Sequence, residues 1–350
     1  MPQRKVAIVI ENMAGKGGTE RVASGLANAL SQQPDYQITL FSISGEQAFF
    51  PLESAVRLHF QQGRKGMWPL RLAVALRRER FDTIILISMG RLSVIMVPFL
   101  RLFCPKSRLL ISEHISFQQY QGWMKALKLA VYRLSDRVIL LTRQDCDAIA
   151  RWVSPHRCQV IENVSPFPIN PPQPGQQRQL ALAIGRLSHQ KGFDRLIAAW
   201  QQIAQRAPDW QLAIVGDGPE RQALQQQIVD AGLEAQVLLV PATANVALWY
   251  QRAGVFLMTS RYEGLPMVLI EAMSFGLPLV AYDCHTGPAE LIDDDGNGFL
   301  VADGDRDQLC SRTLTLIADP SLRHRFSLAS LEKARRFSPE RIYPQWLQIT

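Results

Sequence analysis

Short, continuously apolar runs alternate with longer amphipathic segments along all 350 residues, and this alternation leaves few folds open. In the first half the runs are VAIVI (6–10), QITLFSI (37–43), TIILIS (83–88), RLLIS (108–112), VILLT (138–142) and CQVIEN (158–163). Segments 18–33, 69–81 and 123–136 lie between them, with apolar residues at three-to-four spacing. Strands apolar on both faces and separated by amphipathic helices predict a parallel sheet covered on both sides. The pattern stops at SPFPINPPQPGQQ (165–177), where five prolines fall in thirteen residues, and restarts with LALAIG (180–185), WQLAIVG (210–216), QVLLVP (236–241), VFLMTS (255–260), LPLVAYD (277–283) and GFLV (298–301). The expectation is two doubly wound α/β domains, 1–165 and 178–337, joined by a linker over 166–177. Ligands of such sheets bind at the carboxyl ends of the strands, so the two facing carboxyl edges are expected to form a cleft. A terminal helix is expected over 338–350; the pattern leaves its packing partner open, the N-terminal domain being one candidate.

Composition removes several classes. Hydrophobic residues make up 47% and charged residues 20%, which excludes a largely disordered or collagen-like chain. The longest apolar stretch, 84–103, is interrupted by Arg91, Pro98 and Arg101, so no transmembrane segment is expected, and VAIVI is too short for the core of a signal peptide. The five cysteines form no C-x-x-C pair, which predicts reduced thiols in a cytoplasmic protein, with neither disulfide framework nor zinc site.

The formal net charge of +7 divides unevenly. Residues 1–170 carry 22 Lys+Arg against 12 Asp+Glu, a balance of +10; residues 171–350 carry 16 against 19, a balance of −3. The surplus includes Arg64, Lys65, Arg71, Arg77, Arg78, Arg80, Arg101, Lys106, Arg108, Lys125 and Lys128, interleaved with Met67, Trp68, Leu102, Phe103, Trp123 and Leu127. That mixture fits helices lying on anionic lipid, and equally helices packed on a sheet with solvated polar faces.

Three stretches carry candidate chemistry. The loop after the first run contains Gly15, Gly17 and Gly18 before a helix; it is either a tight turn or a phosphate cradle, and it matches neither a dinucleotide fingerprint nor a Walker A loop. In GRLSHQKGFD (185–194), Arg186 and Lys191 follow a strand, where two cations suit a diphosphate, although a solvated basic loop has the same letters. In SRYEGLPMVLIEAMSFGLP (260–278), Pro266 marks a helix start; Glu263 precedes it and Glu271 lies inside it, with the amides of Gly264 and Leu265 at the positive end of the helix dipole. Such an acidic pair also serves as a cap. Asp303 and Asp305 spell D-x-D but follow a late strand and read as a turn.

Together, GGTERV (17–22), GRLSHQKGFD, VGDGPE (215–220), E-x7-E (263–271) and GPAELIDDDGNGFLV (287–301) resemble the retaining glycosyltransferases of family 4, whose GT-B fold is two facing Rossmann-like domains. The resemblance runs through essentially the whole chain. It implies that Glu271 binds the ribose of a nucleotide diphosphate sugar and Glu263 the hydroxyls of the transferred hexose or N-acetylhexosamine. It also implies that Arg186 and Lys191 neutralise the diphosphate, helped by the amides of Gly264, Leu265, Gly17 and Gly18, and that His114 lies near the donor sugar. No metal or other cofactor is implied, and a uridine diphosphate donor is favoured. The implied acceptor is a lipid-linked saccharide or polysaccharide precursor, met by the N-terminal domain at the inner face of the cytoplasmic membrane. Pro241 and the segment Glu162-Asn163-Val164 depart from the family pattern near the base pocket and the linker. A nucleotide-sugar epimerase of the same architecture and a nucleic-acid-binding protein are the rival readings; E-x7-E with R-x4-K favours transfer, and no recognition helix or stacking sheet face supports nucleic acid.

Overall fold

The computed structural model describes residues 3–61, 65–172, 179–284 and 286–350, in two compact units: Met1–Pro166 with Pro339–Thr350, and Phe167–Ser338. Arg64 and the later part of the expected linker lie outside the described residues, as does the side chain of Lys65.

The first unit contains β1 (Arg4–Asn12), β2 (Tyr36–Ser44), β3 (Arg57–Phe60), β4 (Thr83–Ser88), β5 (Arg108–Glu113), β6 (Arg137–Leu140) and β7 (Cys158–Val160), in the order β3-β2-β1-β4-β5-β6-β7 with every pair parallel. Side chains alternate between faces. Ile84 and Leu86 of β4 therefore join one core with Leu72, Met96 and Val131, whereas Ile85 and Ile87 join another with Leu26 and Leu30. The chain returns to this second core at its far end, where Ile342 and Trp346 of helix Pro339–Leu347, followed by Ile349, pack beside Val6 and Ile8.

The second unit repeats the plan with β8 (Leu180–Ile184), β9 (Gln211–Val215), β10 (Val237–Val240), β11 (Val255–Met258), β12 (Leu279–Asp283) and β13 (Gly298–Ala302), ordered β10-β9-β8-β11-β12-β13 and again parallel throughout. Helix Phe193–Arg206 covers one face through the fully buried Trp200. In both sheets the strand order reverses once, between β1 and β4 and between β8 and β11. At such a switch point the loops leaving adjacent strands diverge and open a crevice for ligand.

Several expectations need correction. Strand β3 was not anticipated because it is a four-residue edge strand with alternating exposure, and helix Arg91–Phe103 was hidden because only two residues separate it from β4, so that strand and helix read as one interrupted apolar stretch. The start of the expected linker is packed, not free: Phe167 lies edge-on to Phe275 at 5.2 Å, and Asn170 N donates to Ser274 O at 2.7 Å. Cys146 and Cys158 form a disulfide, contrary to the expectation of reduced thiols, because the crossover from β6 through helix Arg143–Ile149 to β7 brings Cα atoms twelve residues apart to within 6.2 Å. No local cysteine motif encodes that approach; Cys104, Cys284 and Cys310 are free and buried. Lys128, counted with the surface charge, is fully buried. Among the described residues no helix is long and apolar enough to cross a membrane.

Candidate active site

The second unit's switch point gathers the acidic and basic residues singled out above. The loop leaving β8 runs Gly185 to Lys191 and the loop leaving β11 runs Thr259 to Glu263, and their side chains meet: Lys191 Nζ lies 2.6 Å from Glu263 Oε1. Gly192 allows the approach, since its φ of +63° suits glycine and a Cβ there would stand 2.1 Å from Thr259 O. Ser260 Oγ also donates to Glu263 Oε1 at 2.7 Å, and Thr286 Oγ1 donates to Glu263 O at 2.8 Å. Behind them Arg261 forms a two-pronged pair with Asp194 at 2.9 and 2.6 Å, and its hydrogen bonds hold the Asp194 carboxyl below the usual carboxylate range. The two loops are therefore laced together independently of Lys191 and Glu263.

Glu263 is buried, and a cap is not its role. Helix Met267–Ser274 starts from Pro266, which makes no side-chain cap to its first turn. Glu271, the fifth residue of this helix, is also buried, and Tyr250 OH donates to its Oε2 at 2.7 Å. The Tyr250 ring is itself fixed, stacked on Phe275 at 5.3 Å and flanked by Phe167. Arg186 is exposed, and its guanidinium makes no hydrogen bond or ion pair with the described residues. Chemically the arrangement offers two oriented carboxylates, Glu263 just before helix Met267–Ser274 and Glu271 inside it, with an ammonium paired to the first.

Sequence reasoning missed the groups that hold Glu263 and Glu271 in place. Ser260 and Thr286 sit three residues before Glu263 and 23 after it, and nothing in their spacing marks them. Thr286 precedes Gly287, whose φ of +95° and close approach to Gly264 O (2.1 Å from a notional Cβ) explain why GPAE follows β12: it clamps the turn carrying Glu263.

In the first unit Gly17 is the N-cap and Gly18 the first residue of helix Gly18–Ser31, in the loop leaving β1. The Glu20 carboxylate folds over this loop: a Cβ at Gly15 would lie 2.2 Å from Glu20 Oε1, and one at Gly17 2.8 Å from Oε2. An anion approaching these glycines has to displace that carboxylate. His114 follows β5; its backbone N donates to Ser88 O at 2.9 Å and its Nε2 is 3.0 Å from Ser112 Oγ. Burial pulls the imidazole pKa from 6.5 down to about 4, so the ring is neutral near pH 7. An unfolded chain takes up this proton near pH 6.5 and the folded chain only near 4, so stability is lost as pH falls through that window. The loss is about 2 kcal/mol at about 1.4 kcal/mol per pKa unit, reduced for partial exposure of the ring. The variant His114→Gln should therefore lose about 2 kcal/mol less than the parent in urea unfolding between pH 6.5 and 4; equal losses would contradict the buried neutral ring. Asp303 and Asp305 are structural: Asp303 pairs with Arg195 at 2.6 Å and Asp305 caps helix Arg306–Ala318 through Gln308 N.

Two parallel Rossmann-like sheets, each with its own switch point, are the architecture of the GT-B fold. Residues 169–332 match the family model of glycosyl transferases group 1 and residues 16–164 that of glycosyltransferase family 4, and the chain belongs to this family. It is 36% identical over 355 residues to the amylovoran biosynthesis glycosyltransferase AmsD of Erwinia amylovora, covering 99% of each chain. It is also 26% identical, over 99% of this chain and 98% of the other, to a Campylobacter jejuni enzyme described as an α-1,4-N-acetyl-D-galactosaminyltransferase acting on a diphosphoundecaprenol-linked glycan. Among solved structures, Anabaena HepE in complex with UDP and glucose superposes with a TM-score of 0.85 at 20% identity, and Staphylococcus aureus TarM with 0.82 at 15%, each over 99% of both chains; these likenesses speak to the fold.

Proposed function

We propose that the protein is a retaining glycosyltransferase that moves a hexose or N-acetylhexosamine from a uridine diphosphate sugar to a lipid-linked saccharide in polysaccharide biosynthesis. The observation that carries this reading is the Lys191–Glu263 pair beside an uncapped helix N-terminus, with Glu271 held by Tyr250 four residues into that helix. Glu271 takes the ribose hydroxyls and Glu263 the hydroxyls of the transferred sugar. Arg186, Lys191 and the amides of Gly264 and Leu265 stabilise the diphosphate as charge develops on it, so that the chain's own groups do what a divalent ion does elsewhere. The acceptor oxygen bonds to the anomeric carbon as the bond to the phosphate oxygen breaks on the same face, and the acceptor proton passes to the departing phosphate, giving retention. In the first unit Gly17 and Gly18 add amides toward the diphosphate, and His114 contributes a neutral imidazole.

Membrane contact through the basic N-terminal unit belongs to the same proposal, with the protein on the inner face of the cytoplasmic membrane. On helix Gly122–Leu134, Trp123 is 70% exposed beside exposed Lys125 and Leu127, a mixture of charge and apolar area suited to anionic lipid. A thermal-shift panel of nucleotide sugars, followed by turnover of the hits with and without EDTA, tests the donor. A UDP-sugar should raise Tm, and turnover should survive chelation. Formation of the 2-epimer without acceptor, or loss of turnover with EDTA, would overturn the corresponding part. Co-sedimentation of the same preparation with phosphatidylglycerol vesicles at low salt, but not with phosphatidylcholine vesicles, is expected; absence of sedimentation would sink the membrane assignment.

A further inference from the structure

The carboxyl edge of the first sheet carries a buried ionic cluster that the proposed reaction does not use. Glu113, the last residue of β5, and Lys128, in helix Gly122–Leu134, are both fully shielded from solvent, with Nζ 2.6 Å from Oε1. Ser93 of helix Arg91–Phe103 joins them, accepting from Lys128 Nζ at 2.8 Å and donating to Glu113 Oε1 at 2.8 Å. Tyr120 is gripped twice: its hydroxyl donates to Glu113 Oε2 at 3.3 Å, and Lys128 Nζ stands 4.7 Å from its ring centroid.

Tyr120 is the last residue but one of the segment 114–121, which follows β5 and begins with His114. That segment is also hydrogen-bonded at its start, by the His114 N to Ser88 O bond, and in its middle by Asp145 Oδ1, which accepts from Ser116 Oγ at 2.7 Å and Phe117 N at 3.0 Å, while the Phe117 ring packs into the core against Tyr132. Without the cluster the polar hold on Tyr120 is gone. Stability alone does not call for an ionic solution here, since the desolvation of two buried charges commonly exceeds their attraction and a well-packed apolar pair of the same volume does as well. An apolar pair differs in being non-directional: it fills space but does not fix where a hydroxyl and a ring must sit.

We propose that the Glu113–Lys128 pair is a positioning device that holds segment 114–121, and above all Tyr120 and the residues around it, in one conformation for the acceptor. This rests on reading the first unit as the acceptor side of the transfer. Neither residue touches substrate; both act through the segment.

The test compares Lys128→Met, Glu113→Leu and the double variant in Tm, amide hydrogen exchange over 115–121, and kcat and KM for transfer from a UDP-sugar. Lys128→Met alone should lower Tm, because it strands a buried carboxylate. The double variant should recover a Tm near the parent's, yet exchange in 115–121 should be about 10-fold faster and kcat about 10-fold or more lower, with donor KM within about threefold. A double variant with parental Tm, exchange and kcat would overturn the proposal and leave the pair purely structural. If the double variant fails to fold, Tyr120→Leu keeps the ion pair and removes both of its holds on the segment, hydroxyl and ring; faster exchange there supports positioning, and unchanged exchange overturns it. A parent that turns over no nucleotide sugar would defeat the glycosyl-transfer reading, whereas the exchange measurements would still decide whether the pair holds the segment.

Discussion

Replacing Lys191 with alanine should lower kcat about 100- to 1000-fold while leaving most of the protein folded. The ammonium stands at the switch point of the second sheet, 2.6 Å from Glu263, and the proposed reaction asks it to meet negative charge that grows on the diphosphate only as the sugar departs. Removing one preorganised donor of this kind ordinarily costs about 2.7–4 kcal/mol of transition-state stabilisation. A stability cost accompanies it, because Glu263 is buried and loses its counter-charge. Breaking a fully buried pair costs about 3–5 kcal/mol. Here Lys191 is 21% exposed and Ser260 Oγ still donates to the same carboxylate oxygen, so about 1–2 kcal/mol is expected. Steady-state kinetics beside urea unfolding separates the two. A kcat within about threefold of the parent's, in a folded protein, would remove Lys191 from the reaction.

The second large effect is expected on donor affinity. Glu271→Ala should raise the KM for the nucleotide sugar about 10- to 100-fold, because a hydrogen bond to a charged group contributes about 1.5–3 kcal/mol and a ribose diol presents two hydroxyls. The side chain is well prepared for that contact: it is buried in helix Met267–Ser274 and one oxygen is fixed by Tyr250 OH at 2.7 Å. Tyr250→Phe keeps the ring stacked on Phe275 and releases only the carboxylate, so a smaller rise, about 3- to 10-fold, should follow. Isothermal titration with UDP reads both. Unchanged affinity in Glu271→Ala would move the ribose contact elsewhere.

Much of the fold was legible because strands covered on both faces are written as uninterrupted apolar runs. All six runs in each half fall on strands. What escaped was structure without that signature: β3, half exposed at an edge, and helix Arg91–Phe103, which follows β4 after only two residues and reads with it as a single apolar stretch. Charge counting misjudged Lys128, since a sequence gives the number of cations and not which of them meets a carboxylate inside the core. The acidic and basic residues of the second unit were legible because the switch point gathers residues from loops that each carry a recognisable string. Their supports, Tyr250, Ser260 and Thr286, were not: each acts through a single hydrogen bond across 3 to 23 residues, and such bonds leave no periodic trace. The Cys146–Cys158 pairing escaped for the same reason, being a product of where the crossover places its ends.

The return of the last helix to the first unit has a consequence for how the protein is made. Ile342, Trp346 and Ile349 complete the core that contains Val6 and Ile8, yet the whole of Phe167–Ser338 is synthesised in between. At ribosomal speeds of about 5–20 residues per second those 172 residues take roughly 10 to 35 s to emerge. For that interval the nascent first unit presents an apolar face with no helix to close it. The second unit is contiguous and lacks nothing once Ser338 has emerged, whereas the first still awaits Pro339–Thr350, so the half of the chain that is translated first is the last to have its whole sequence available.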